Sequence, residues 1–141
     1  MSNVAKLLEQ TTRAFLKSYV DASQTQDMNL LNAHVTSECQ RYVGPAAFLE
    51  SQGAPADFSI SNVEFAAEFN GMDLYRFADH IIHDLVVDAE KLKAAARTDL
   101  LVKFNDGEVL TRIFVWFLGF KEDGRKVSKV YIHNDAQEAR N

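Results

Sequence analysis

Three turn signals at nearly even spacing, DAEK (88–91), NDGE (105–108) and EDGR (122–125), constrain this chain more than anything else in it. Around them lie four stretches of about ten to thirteen residues, rich in Val, Ile, Phe and Leu. Asp106-Gly107 and Asp123-Gly124 are strong hairpin dipeptides, because tight hairpin turns need the positive φ that glycine adopts at no steric cost. The second half therefore reads as a four-stranded antiparallel meander over 76–88, 92–104, 108–120 and 126–136. Strands that long must curve to stay packed. In the first of them, RFADHIIHDLVVD, His80 and His83 stand three residues apart, so on a strand they point to opposite faces.

The first half follows a different period. Val4, Leu7, Leu8, Thr11, Phe15, Tyr19 and Ala22 recur at three- and four-residue spacing, which predicts an amphipathic helix. DMNLLNAHV fits a second, short helix capped by Asp27. ECQRYV (38–43) alternates weakly, as a short strand stopped by Gly44-Pro45. ESQGAPADFSIS has the composition of a loop. Ser61 and Glu64 form a capping-box pattern that opens a third helix, with Gly71 at its end. Helices followed by a run of strands predict one α+β domain over residues 1–141, its curved antiparallel sheet covered by the N-terminal helices.

Composition narrows the function classes. A net charge of -5 gives no electrostatic reason to expect nucleic acid or an anionic membrane as partner. No apolar run approaches the roughly 20 residues of a membrane span, and MSNVAKLLEQ has no signal-peptide pattern, so a cytoplasmic setting is expected. The single cysteine, Cys39, excludes an intrachain disulfide and a cysteine-rich metal site. It reads as a small buried apolar residue, with a catalytic thiolate as the alternative. No histidine spacing matches a zinc ligand set, and no nucleotide loop, nucleophile elbow or redox motif occurs, so no metal or cofactor is expected.

If each hairpin closes tightly, Val87 pairs with Leu92, Asn105 with Glu108 and Glu122 with Arg125, and the faces follow. His80 then lies opposite Asp99, beside Phe114 and His133, on a face that also holds Arg97, Trp116 and Tyr131, with Arg112 and Asp135 in a further row. The other face is almost wholly apolar and is the one the helices should cover. Its few polar groups are Asp79, His83, Thr98, Thr111 and Asn134, the pattern expected of a ligand pocket. His83 is a candidate general acid or base, against the reading of a core-edge histidine bonded to a carbonyl. Asp79 beside it is either a desolvated carboxyl or a strand-end aspartate in water. His80 and Asp99 form a second His–carboxylate pair, more suited to a sheet face or subunit contact than to a triad. The arginine and aromatic row beside them has the character of an interface, and a second copy of the chain is the partner it predicts.

RAFLKSYVDASQTQDMNLLNAHVTSEC, the later Pro45, HDLVVD and KEDGRKVSKVYIHND together resemble the SnoaL-like branch of the nuclear transport factor 2-like superfamily, over about 13–135. The likeness is to small fungal members that accompany secondary-metabolite pathways. It implies a cone in which helices close over the curved sheet, often paired through the sheet's outer face. It also implies a cofactor-free isomerase, cyclase or dehydratase, or a binding domain that catalyses nothing. His83 stands where similar sequences often carry histidine, and Asp135 where they often end the last strand. Arg41 replaces an expected histidine and Ile132 an expected acid; Arg41 could serve instead as a fixed cation for an enolate or phenolate oxygen. The resulting expectation is an isomerase or cyclase acting on a small hydrophobic polyketide- or terpenoid-like molecule. His83, helped by Asp79, would move a proton beside a carbonyl, and Arg41 and Asn134 would steady the oxyanion. The alternative is a non-catalytic binding or dimeric assembly domain. An open cavity with His83 in its wall favours the enzyme; a cavity filled by Phe69, Phe117 and their neighbours favours the alternative.

Overall fold

The computed structural model describes residues 2–55, 58–69, 74–134 and 139–140, and for 46–48, 134 and 139–140 the backbone alone. Helix α1 (Asn3–Thr25) starts at Ser2, whose hydroxyl accepts the Ala5 N–H at 3.1 Å, and ends at Gln26 in the left-handed region. Its buried face runs Leu8, Thr11, Thr12, Phe15, Leu16, Tyr19, Ala22 and Ser23, the three- and four-residue spacing seen in the sequence. A single 3-10 turn (Met28–Asn32) follows, capped by Asp27 through the Asn29 N–H at 3.1 Å. Strand β1 (Val35–Gly44) stops at the cis Gly44-Pro45 bond, where α2 (Ala46–Ser51) begins. A short β2 (Ser59–Ser61) leads into α3 (Asn62–Phe69). The capping box forms as read: the Ser61 N–H donates to Glu64 Oε1 at 3.0 Å, and the Glu64 N–H to Ser61 Oγ at 3.2 Å. Its expected end at Gly71 lies outside the described residues.

The meander is present as β3 (Tyr75–Asp88), β4 (Lys93–Phe104), β5 (Val109–Phe120) and β6 (Val127–Asn134). The curved sheet has the order β2-β1-β6-β5-β4-β3, with β7 (Ala139–Arg140) paired to β5. β1 joins β6 in parallel, a pairing that local turn signals cannot announce. Helix α1 packs mainly on β3. Ser23 Oγ accepts the Phe77 N–H of β3 at 2.9 Å, and Thr11 Oγ1 donates to the Gly124 carbonyl in the β5–β6 turn at 2.8 Å. Gly124, at φ 72°, lies so close to the helix that a Cβ there would come within 3.2 Å of Leu8. No described helix is long and apolar enough to cross a membrane.

The strand register departs from the tight-hairpin expectation in all three hairpins; in the first, Val87 pairs with Ala94 instead of Leu92 and the turn spans Ala89–Leu92. The β4–β5 hairpin closes with Phe104 N–H on the Glu108 carbonyl at 2.8 Å, leaving Asn105, Asp106 and Gly107 as a three-residue loop. With Gly107 at φ 91° this is the longer loop ending in a left-handed residue, not the two-residue turn. The one-residue slip turns all of β5 over. Leu110, Arg112, Phe114, Trp116 and Leu118 therefore face inward, and Ile113, Val115 and Phe117 face out. In β3, bulges between Phe77 and Asp79 and between Ile82 and Asp84 reverse only the middle of the strand. His80 pairs with Leu100, not Asp99, and it is His80 and Ile82 that point inward. A bulge at Gly119/Phe120 adjusts β6, where Val130 and Ile132 face inward as expected.

Candidate functional site

The two histidines have exchanged places relative to the sequence expectation. His83 lies on the outer face, where its Nε2 meets Asp99 Oδ2 at 2.8 Å and both side chains reach solvent. Asp79 is also exposed, its Oδ1 accepting the His80 N–H at 2.8 Å, so no desolvated carboxyl stands there. His80, predicted outside with Asp99 and Trp116, is largely buried against α1, and Trp116 is buried with it. Asn134 pairs through its backbone with Phe114. Asp135 lies outside the described residues.

A cavity of about 290 Å³ opens between α1, α3 and the inner sheet face. Its volume is near the lower end of the 300–1,000 Å³ usual for ligand pockets. Aromatic rings from five elements wall it: Tyr19, Phe65, Phe69, Phe77, Phe104, Phe114 and Trp116. Leu100, Val102, Leu110 and Ile132 complete the apolar lining, with Arg112 and Tyr75 as further polar groups. Phe69 thus lines an open cavity instead of filling it, Phe117 is on the other face, and His83 is not in the wall.

Behind Tyr19 and Phe65 sits Arg41, which β1 carries to the inner face and which is 0% exposed. Its guanidinium donates to Asn62 Oδ1 at 2.8 Å, to Asn32 Oδ1 at 3.2 Å and to the Leu31 carbonyl at 3.2 Å. It also stacks 4.1 Å from the centre of the Phe65 ring. All of these partners are neutral. Arg41 Nε and the Tyr19 hydroxyl are both buried without a hydrogen bond of good geometry. Burial pushes the Tyr19 hydroxyl up to about 12, with the neighbouring Arg41 charge pulling the other way, so it holds its proton. In this environment it is a hydrogen-bond donor, not a base. Cys39, one step back on the same face of β1, is fully buried, and burial raises its thiol above the ordinary value despite Arg41. That favours the apolar reading of Cys39 over a thiolate.

On the other side of Tyr19, His80 Nδ1 lies 2.8 Å from the Leu16 carbonyl and Nε2 lies 2.8 Å from Thr98 Oγ1. The Trp116 indole N–H donates to the same hydroxyl at 2.8 Å. A carbonyl only accepts, so Nδ1 carries the proton and Nε2 receives the Thr98 hydroxyl. The network is complete with a neutral imidazole. It ties the Trp116 wall of the cavity to the backbone of α1.

Tyr19 is the residue that sequence reasoning passed over. Its place on the apolar stripe of α1 marked it as core, yet a tyrosine there carries a hydroxyl that must find a partner. That signal was present.

No protein-family model matches the sequence, and no curated protein does. Solved structures do match. PrhC from Penicillium brasilianum superposes at a TM-score of 0.75 and 18% identity, over 95% of this chain and 83% of its own. The BvnE pinacolase from Penicillium brevicompactum gives 0.72 at 17% identity, over 96% and 88%. A nuclear transport factor 2-like protein of unknown function from Burkholderia pseudomallei gives 0.60 at 16% identity, over 96% and 92%. Helices closed over a curved sheet, with an aromatic cavity between them, give this chain the nuclear transport factor 2-like fold.

Proposed function

We propose that this chain is a SnoaL-like, cofactor-independent isomerase or cyclase, acting on an apolar polyketide- or terpenoid-like carbonyl compound in the aromatic cavity. One observation carries the reading: a buried tyrosine hydroxyl without a hydrogen bond of good geometry, beside a buried arginine, on a residue that lines an apolar cavity. A donor held in place and backed by a fixed cation stabilises charge that develops on a carbonyl oxygen, and it does so best where water is excluded. In the proposed reaction a base removes a proton from the carbon next to the carbonyl. The oxygen becomes an enolate held by the Tyr19 O–H with Arg41 behind it, and the proton returns to a different carbon. For the base, the proposal turns to Asp135. Its support is the family resemblance and the pairing of the preceding Asn134 with the wall residue Phe114. The fungal neighbours, one of them a pinacolase, are compatible with rearrangement chemistry on this fold.

The test is proton exchange. Apolar cyclic ketones and β,γ-enones are incubated with the protein in D2O and followed by NMR. Deuteration or migration of the double bond faster than in buffer, and slowed about a hundredfold by Tyr19→Phe, is the expected result. Binding without exchange favours the second reading, a non-catalytic binding domain. What supports that reading is that no carboxylate or imidazole lines the cavity among the described residues.

The same proposal includes a homodimer through the outer sheet face. Ile81, Val86 and Phe117 are exposed there, with Phe117 at 51% and its ring against Tyr131. Soluble monomers seldom leave such a surface in water. The Arg97–Asp84 pair, 3.0 Å apart on the same face, is the mixed charge a two-fold contact can reuse.

A further inference from the structure

Arg41 is a full positive charge in the interior, and among the described residues no carboxylate pairs with it. Its contacts are two side-chain amides, one backbone carbonyl and the face of a phenyl ring. An ion so placed bears a large desolvation cost, and apolar residues can commonly replace buried ions with no loss of stability. The fold therefore gives little reason for a cation here. Arg41 Nε and the Tyr19 hydroxyl lack hydrogen bonds of good geometry; the Tyr19 oxygen lies close enough to Arg41 to feel a contact with it, and its own proton is left to donate. A cation and a proton to donate are gathered, and among the described residues an anion is missing. Tyr19 and Phe65 belong both to the surroundings of Arg41 and to the cavity wall, so this charge stands behind two of the rings that a cavity ligand touches.

We infer that the ligand of this cavity binds as an anion with its charge on oxygen, which accepts the Tyr19 O–H next to the Arg41 guanidinium. The ligand class is an apolar organic acid. An aliphatic carboxylate and the enolate of an acidic 1,3-dicarbonyl carry that charge as they bind; a simple ketone acquires it only on proton removal, and an ester serves as the neutral control. The inference rests on the cavity being the ligand site and is independent of turnover. Apart from Arg112 and Tyr75 the rest of the wall is aromatic and aliphatic, so the body of the ligand is apolar.

Trp116, the single tryptophan, lies in the wall and reports occupancy by its fluorescence. The experiment titrates the native protein with cyclohexylacetate, with its methyl ester and with dimedone, a cyclic 1,3-diketone largely ionised at pH 7.5. Tyr19→Phe, Arg41→Met and Arg112→Gln are titrated in parallel. The expected result is that at least one of the two anions binds tenfold or more tightly than the ester. That preference should fall in Tyr19→Phe and in Arg41→Met and persist in Arg112→Gln. Cyclohexylacetate ahead of dimedone identifies the carboxylate as the form taken, and the reverse order identifies the enolate. An ester that binds as well as both anions overturns the inference while leaving the cavity as a binding site. A preference that survives Tyr19→Phe, or that follows Arg112 instead, overturns it as well. Should Arg41→Met fail to fold, Tyr19→Phe, which removes one oxygen, decides alone. Failure of all three probes to bind removes both the inference and the cavity reading beneath it.

Discussion

The imidazole of His80 and the hydroxyl of Thr98 meet at 2.8 Å in the interior, and their bond is possible in full only while His80 is neutral. A proton on Nε2 would turn an acceptor into a donor. Thr98 Oγ1 already accepts the Trp116 N–H, and its own proton would then lack an acceptor. Burial likewise holds the His80 pKa below its ordinary value, against the upward pull of the Leu16 carbonyl, Asp79 and Asp99. Arg13, Lys17 and Asp21 on α1 are the other charges along the same groove.

The sign of the pH effect follows. The unfolded chain takes up a proton at His80 near pH 6.5, and the folded chain does so only at lower pH. The stabilisation is therefore fully present above about pH 6.5 and declines as pH falls from there through the folded value. His80→Gln should cost about 1–3 kcal/mol in urea unfolding at pH 7.5, because it leaves buried polar groups unmatched. The cost should be smaller at pH 5.5. An equal cost at both values counts against the neutral network.

Trp116 and Phe117 are neighbours with opposite duties. Trp116 is 1% exposed and edge-on to Phe15 and Tyr19, whereas Phe117 stands in solvent on the outer face. Trp116→Ala should lower unfolding stability by about 3–5 kcal/mol, the usual cost of emptying a large aromatic site. Phe117→Ala should leave the isolated fold nearly unchanged and weaken the proposed dimer by about 1–4 kcal/mol. Light scattering and denaturation on both variants separate the two effects. A monomeric native protein at micromolar concentration ends the dimer proposal.

The long elements of this fold were legible in the sequence, whereas the short α2, β2 and β7 and the faces of the strands were not. Asp-Gly pairs and the three- and four-residue spacing of α1 are local signals, and they placed the long strands to within a few residues. Faces depend on register, and register turned on whether Asp106-Gly107 closes a two-residue or a three-residue loop. Both loops accept that dipeptide. The bulges around Ala78 and His83 are equally silent, because each is an adjustment to the partner strand and to curvature, not to the residues themselves. One residue of slip exchanged Trp116 with Phe117, and one bulge exchanged His80 with His83. Arg41 was legible as an unusual residue for its strand, but its burial depended on α3 and the 3-10 turn, which reach it from distant sequence.

His83 stands on the outer face, outside the cavity wall. Its contact with Asp99 at 2.8 Å is part of an exposed surface, where such pairs contribute about 0–1 kcal/mol. His83→Ala should change stability by no more than that, and it should leave Trp116 fluorescence titrations and proton exchange at their native values. A loss of exchange with ligand binding intact would return His83 to the mechanism and require a ligand site on the outer face.

Tyr19→Phe offers the sharpest separation of folding from function. The hydroxyl is buried without a partner of good geometry, so the folded state gives up its hydration with little in return. Removing it deletes one oxygen and keeps the ring contacts with Phe15, Phe65 and Trp116. Unfolding stability should therefore stay level or rise by up to about 1 kcal/mol. Proton exchange on a bound ketone should meanwhile fall about a hundredfold. A group that costs stability where it stands and matters when a ligand is present is the pattern expected of a site under functional demand. If Tyr19→Phe instead destabilises the fold by about 1 kcal/mol or more, the hydroxyl has a structural partner, and its bond to Arg41 is then the reason for both residues.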